Sequence, residues 1–98
     1  MNDVSSIAQS SLNALTTKLE VSANNIANSA TEGFKSSQVN MAARQDGGVD
    51  ATVVTTDEQV DISREAVEML STVNGFKANL QVLKADKEMT KSLLDIIS

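Results

Sequence analysis

One periodicity constrains this chain more than any other feature. Ile62, Ala66, Met69, Val73, Phe76, Leu80, Leu83, Lys87, Thr90, Leu94 and Ile97 follow one another in alternating steps of four and three. Only Lys87 and Thr90 in that row are polar. Such a repeat is the seam of a coiled-coil-like helix, here sustained over about five heptads. A second row, Val67, Leu70, Val82, Met89, Leu93 and Ile96, broadens the stripe toward its end. Asp57, Glu58, Asp61, Glu65 and Glu68 come early and Lys77, Lys84, Lys87 and Lys91 late, an order that suits the helix dipole. Thr56 and Asp57 are candidate N-caps. Gly75 falls inside the helix at a cost of about 1 kcal/mol. A helix spanning residues 57–97 is roughly 60 Å long.

The first 28 residues carry a second helical stripe. Ala8, Leu12, Leu15, Leu19, Ser22 and Ile26 recur at steps close to 3.5, and Ile7, Ala14 and Val21 widen the stripe to one side. The spacing predicts a helix over 4–28, about 37 Å long. Residues 29–35 stop it, with Gly33 available for positive φ. Between the helices, Asp46-Gly47-Gly48 is the clearest turn signal. Val39 and Met41 precede it, and Val49, Ala51, Val53 and Val54 follow, a pattern that fits a β-hairpin or a disordered loop. The fold class expected is mainly α: two long amphipathic terminal helices form an antiparallel helical hairpin or coiled coil, with a short loop or β-hairpin between. The segments are 1–35, 36–59 and 60–98, one structural unit.

Two stripes of unequal length have a consequence. Folded as one helical hairpin, the longer helix leaves its last turns, with Leu93, Leu94, Ile96 and Ile97, without a partner. Exposed, those residues form a sticky patch. Phe34 and Phe76 are the only aromatic residues, so little area is available for a self-sufficient core. The expectation is self-association or docking onto a partner.

Composition removes most chemistry. There is no Cys and no His, so disulfides, Cys- or His-ligated metals and His- or Cys-based catalysis are excluded, and no cofactor is expected. A net charge of −5 with two aromatics argues against nucleic acid. No apolar run approaches the roughly 20 residues that span a bilayer, and Met1 to Ser11 do not read as a cleavable secretory signal. Asp57, Glu58 and Asp61 are explained as acids at a helix N-terminus without a metal. Asp46-Gly47-Gly48 lacks the lysine and helix start of a phosphate loop. No spacing assembles the remaining carboxylates and lysines into a catalytic site, so an enzyme is not expected.

Residues 22–35, Ser-Ala-Asn-Asn-Ile-Ala-Asn-Ser-Ala-Thr-Glu-Gly-Phe-Lys, resemble the N-terminal signature of bacterial flagellar rod and hook proteins. That signature runs A-N-N-[IL]-A-N, two variable residues, T, a residue often Pro, G, [YF], K. Asn24, Asn25, Ala27, Asn28, Thr31, Gly33, Phe34 and Lys35 fall in register with it, while Glu32 stands at the position often held by Pro. Val60-Asp61-Ile62, Glu65, Met69, Phe76, Ala78-Asn79, Val82, Ala85-Asp86, Glu88-Met89 and Leu93-Leu94 look like the family's C-terminal helix. Asn74-Gly75 replaces the Gln-Arg pair common before the aromatic. The middle segment, about 24 residues, is shorter than the family's usual β-rich insertion, so the chain looks most like a proximal rod component or a shortened paralogue.

The resemblance implies a structural subunit of the basal-body rod, periplasmic, exported by the flagellar type III apparatus without a cleaved signal. It implies helical assembly with itself and other rod proteins through paired terminal helices, with no membrane insertion. The residues expected at assembly contacts are Leu12, Leu15, Leu19, Asn24, Asn25, Ile26, Asn28, Gly33 and Phe34 in the first segment. In the last they are Met69, Val73, Phe76, Leu80, Leu83, Leu94 and Ile97. Within these, Asn24, Asn25 and Asn28 are expected to bond loop or neighbouring-subunit backbone. Phe34 and Phe76 either pack on each other or make separate contacts. The alternative function is a homo-oligomeric coiled-coil adaptor or regulator unrelated to the axial structure.

Overall fold

The computed structural model describes residues 3–97; Met1, Asn2 and Ser98, at the ends of the outer two segments, lie outside the described residues, as does the start of the stretch read for a secretory signal. The order of elements is α1 (Asp3–Ala27), β1 (Ser37–Ala43), β2 (Val49–Thr55) and α2 (Ile62–Ile97). The expected architecture of two helices around a β-hairpin is what forms.

α1 and α2 run antiparallel. Three contacts fix their register: the Ser5 hydroxyl donates to Asp86, Leu15 lies against Gly75, and Lys18 Nζ stands 2.9 Å from Glu68 Oε2. α1 ends near the start of α2 because both helices rise about 1.5 Å per residue along the same axis. At the other end the lengths do not match. α2 continues from Lys87 to Ile97 past the level of Ser5, roughly 16 Å. The overhang expected from the unequal stripes is present. The register also separates the two aromatics. Phe76 sits at the level of Leu15, while Phe34 follows the far end of α1, so each makes its own contacts.

The middle segment is an ordered antiparallel hairpin, with Val39 opposite Val53 and Met41 opposite Ala51. The turn signal acts as its chemistry requires. Arg44 N donates to Gly48 O and Gly47 N to Arg44 O, while Gly48 N donates to Asp46 Oδ1 in an Asx-type turn. Gly47 takes φ +91 and lies on Ile7 of α1. An added Cβ there stands 2.8 Å from Ile7 Cδ1. Gly47→Ala is therefore expected to lower stability by about 1–3 kcal/mol, through left-handed strain and the crowded tip. A urea titration followed by circular dichroism measures it.

The hairpin packs on α1 and not on α2, so α1 is sandwiched between the two. One face of α1 takes α2, with Ser5, Leu15 and Lys18 at the contacts. The neighbouring face seats the hairpin through Ile7, Ser10 and Asn25. The core is thin: Ala8, Leu12 and Ala14 are its buried apolar residues. The dimensions, 63 × 25 × 14 Å, and a radius of gyration of 17.3 Å against about 13 Å for a compact domain of this length, follow from that arrangement.

Two sequence expectations are corrected here. α2 starts at Ile62 rather than at residue 57, and its N-cap is Asp61, whose Oδ1 accepts from Arg64 N at 3.1 Å. Thr56 and Asp57 do not cap it because the hairpin claims Thr56. Thr56 N donates to Ser36 O, Ser36 N donates to Glu58 O, and the two hydroxyls meet at 2.7 Å. This latch extends the ladder beyond the strands and delays the helix. The starting point also shortens α2 to about 54 Å.

Gly75 lies on the α1-facing side of α2. An added Cβ meets Leu15 Cδ1 at 3.4 Å, ordinary contact distance. Gly75→Ala is expected to stabilise the chain by about 1 kcal/mol, because alanine removes the backbone-entropy penalty inside a helix. A thermal melt reads this as a midpoint rise of about 4–8 °C.

Candidate assembly surface

The apolar seam of α2 does not face α1 squarely. α1 lies along one flank of it. Met69, Phe76 and Leu83 are half-buried there, and the deepest positions of α2 are the polar Glu65 and Thr72, with Asn79 and Asp86 on the same line. The other flank, Ile62, Ala66, Val73 and Leu80, is exposed. The helices thus meet on a mixed, narrow line, with Gly75 against Leu15. Eleven exposed large hydrophobic side chains lie on α2: Ile62, Val67, Leu70, Val73, Leu80, Val82, Met89, Leu93, Leu94, Ile96 and Ile97. Ile96 and Ile97 are each 79% exposed. Lys87 is also exposed, so the seam opens to solvent where its first polar residue falls.

Where the overhang leaves α1, Ser5, Leu83, Asp86, Lys87, Thr90, Lys91 and Leu94 line an open, mostly apolar groove of about 630 Å³. Covering such a face has a large return, since burying one Leu or Ile side chain is worth about 1.5–3 kcal/mol.

The asparagine-rich end of α1 does different work. Asn25 is 0% exposed. Its Nδ2 donates to Ser37 O at 2.7 Å and its Oδ1 accepts from Ser37 N at 2.9 Å. One side-chain amide therefore acts as a strand neighbour to the first residue of β1, satisfying both backbone groups. Asn28 turns inward on the helix end, its Nδ2 donating to Asn24 O at 3.0 Å while its Oδ1 accepts from Thr31 Oγ1. Asn24 is exposed. Consecutive turns, Ser29 N to Ile26 O, Thr31 N to Asn28 O and Phe34 N to Thr31 O, carry the chain to Gly33 at φ +77, the positive φ expected there.

The sequence-predicted contact residues thus divide. Leu12 and Asn25 are buried inside the chain, and Leu15, Leu19, Ile26, Asn28, Phe34, Met69, Phe76 and Leu83 are half-buried. Asn24, Gly33, Val73, Leu80, Leu94 and Ile97 are exposed. Ser10 and Ser36 were not foreseen. Ser10 Oγ accepts from Val49 N at 3.1 Å and donates to Ile7 O, pinning β2 to α1. The row Ile7, Ala14, Val21, with Ser10 at the same spacing, was the available signal for a second packed face.

Among the described residues no group of acidic side chains is placed to hold a metal ion, and no helix is long and apolar enough to cross a membrane. Residues 6–35, which hold all of α1 beyond its first turn together with the asparagine loop, match the family described as flagella basal body rod protein. The segment is similar to that family's model. That match covers 30 of the 98 residues. Among curated proteins, none matches the chain. The rod-family signature is therefore also the joint of this fold: its Asn25 holds β1, and its Gly33 turns the chain into the hairpin.

Proposed function

We propose that the chain is a structural subunit of the basal-body rod that assembles helically, its paired terminal helices packing against those of neighbouring subunits. One observation carries this reading: a chain with a rod-family N-terminal segment leaves the apolar flank and overhang of α2 uncovered. Val73, Leu80, Leu94 and Ile97 are the central contacts between subunits, with Met69, Phe76 and Leu83 at the edge shared with α1. Leu12, Leu15, Leu19 and Ile26 serve assembly indirectly by holding α2 in place. Asn25, Asn28, Gly33 and Phe34 serve it by fixing the loop, and Asn24 lies on the outer surface. The subunit reaches the rod by type III export and performs no chemistry. Its role is to pack tightly enough to transmit torque.

The test is fractionation. A tagged chain expressed in a flagellated host is expected to co-purify with hook–basal bodies. Recovery only as a discrete, closed oligomer in the soluble fraction would favour a coiled-coil adaptor instead.

A further inference from the structure

The face of α2 that packs on α1 does not stop where α1 does. One row of it, Glu65, Thr72, Asn79 and Asp86, steps by seven residues and reaches Leu93 next. A second row, Met69, Phe76 and Leu83, leads on to Thr90 and Ile97 in the same way. α1 starts at Asp3, just past the Ser5–Asp86 bond, so about nine residues of α2, roughly 13 Å, carry this face beyond it. The character of the face changes there. Over the paired length its first row is polar at every step, whereas the overhang presents Leu93 at 59% exposure, beside Met89 at 65% and Ile97 at 79%. The charges keep off this strip. At about 100° per residue, Glu88, Lys91 and Asp95 fall on the side of the helix opposite Leu93, and Lys87 stands level with the start of α1. Lys87, Glu88, Lys91 and Asp95 sum to zero in a chain of net charge −5, so two acidic molecules can meet here without like charges facing each other.

The strip continues the seat of an antiparallel helix, so an antiparallel helix is what fits it. α1 of another copy is engaged on two faces already, by α2 and by the hairpin. The overhang of a second copy is not. Turned about a two-fold axis near Leu93, it runs antiparallel, has the same length as the strip and brings the same uncharged face. One contact then covers both strips, whereas any other occupant leaves one of them bare. We propose that two copies of the free chain pair through their α2 overhangs in this way, Leu93 meeting its two-fold mate and Met89 facing Ile97 of the second copy. The contact is isologous and closes at two copies. It goes beyond the rod reading, because it concerns the chain before assembly. Ile97 is also one of the subunit contacts proposed above, so the pair opens before a chain joins a rod, and until then it hides the most apolar turn of the molecule.

The experiment is sedimentation equilibrium on the full chain over a concentration series, joined to disulfide mapping. Wild type is expected to follow a monomer–dimer equilibrium. Leu93→Asp sets two carboxylates face to face in a dry contact and is expected to weaken pairing about a hundredfold. Leu80→Asp, off the strip, is expected to leave it within about twofold. The chain has no Cys, so a single introduced cysteine can link only two copies. Leu93→Cys is expected to form the disulfide dimer on oxidation. Leu80→Cys places its two thiols roughly 39 Å apart in the same pair and is expected to stay monomeric. A wild-type chain monomeric at every concentration would overturn the proposal, as would Leu93→Asp pairing like wild type or Leu80→Cys linking as readily as Leu93→Cys. The cysteine arm decides the matter should Leu93→Asp melt early. Basal-body recovery separates this contact from the rod assignment. Pairing through Leu93 by a chain absent from basal bodies sinks only the rod reading. Recovery there of a chain that never pairs sinks only the two-fold contact.

Discussion

Asn25→Ala is expected to lower the stability of the chain by about 2–4 kcal/mol, because it strands both backbone groups of Ser37 at once. Each unpaired group in a partly buried site costs about 1–3 kcal/mol, and a small cavity adds to that. The position allows no easy repair, since Asn25 has no exposed surface through which water can replace the amide. Asn25→Asp tests the directionality. Its second oxygen would face the Ser37 carbonyl where an N–H now donates, so it should be at least as damaging at neutral pH, while retaining the volume. Urea unfolding gives both values. A loss below about 0.5 kcal/mol for the alanine variant would mean that the hairpin is held by its apolar contacts with α1 and that the amide bridge adds nothing. The expected damage is local in origin but wide in effect, for β1 begins at Ser37 and the Ser36–Thr56 latch follows directly.

Leu80→Asp and Leu94→Asp should separate folding from assembly. Leu80 is 46% and Leu94 57% exposed in the single chain, so a carboxylate at either place meets water. The expected change in stability of the isolated chain is within about 1 kcal/mol, mostly the lower helix propensity of Asp. Within an assembled rod the same carboxylate would sit in a dry helix contact, at a cost of several kcal/mol per subunit. That cost recurs at every interface, so rod incorporation should be abolished while the circular dichroism spectrum is unchanged. Basal-body fractionation and a motility assay read the effect. Normal motility with either variant would remove the exposed flank of α2 from the assembly contact. A large loss of stability would instead show that the flank is covered within the chain.

Much of this was legible in the sequence. The alternating steps of four and three fixed a long second helix, and its excess length over the first foretold the overhang. The Asp-Gly-Gly turn located the hairpin, and Gly33 was read as a positive-φ turn. What misled was local. Thr56 and Asp57 look like caps in isolation, and nothing nearby shows that Ser36, twenty residues upstream, competes for Thr56. Asn25 stood out within its motif, yet the motif did not say that its amide would bridge both groups of Ser37. Glu65 looked like one more acid in the first turns of a helix, and its low exposure depends on residues far away in the chain, from α1 and the start of β1.

The sequence by itself determined which segments are helical, that the second is the longer, and that their apolar surface exceeds what two helices can hide. Those properties depend on spacing and composition within a few turns, where side-chain periodicity dominates. Only the tertiary structure decided the rotation of α2 about its axis. That rotation is set by how closely Ala8, Leu15 and Gly75 let the helices approach and by the hairpin occupying the next face of α1. It puts Glu65 and Thr72 inside and leaves Val73 and Leu80 for a neighbour, a choice that depends on contacts between segments far apart in the chain.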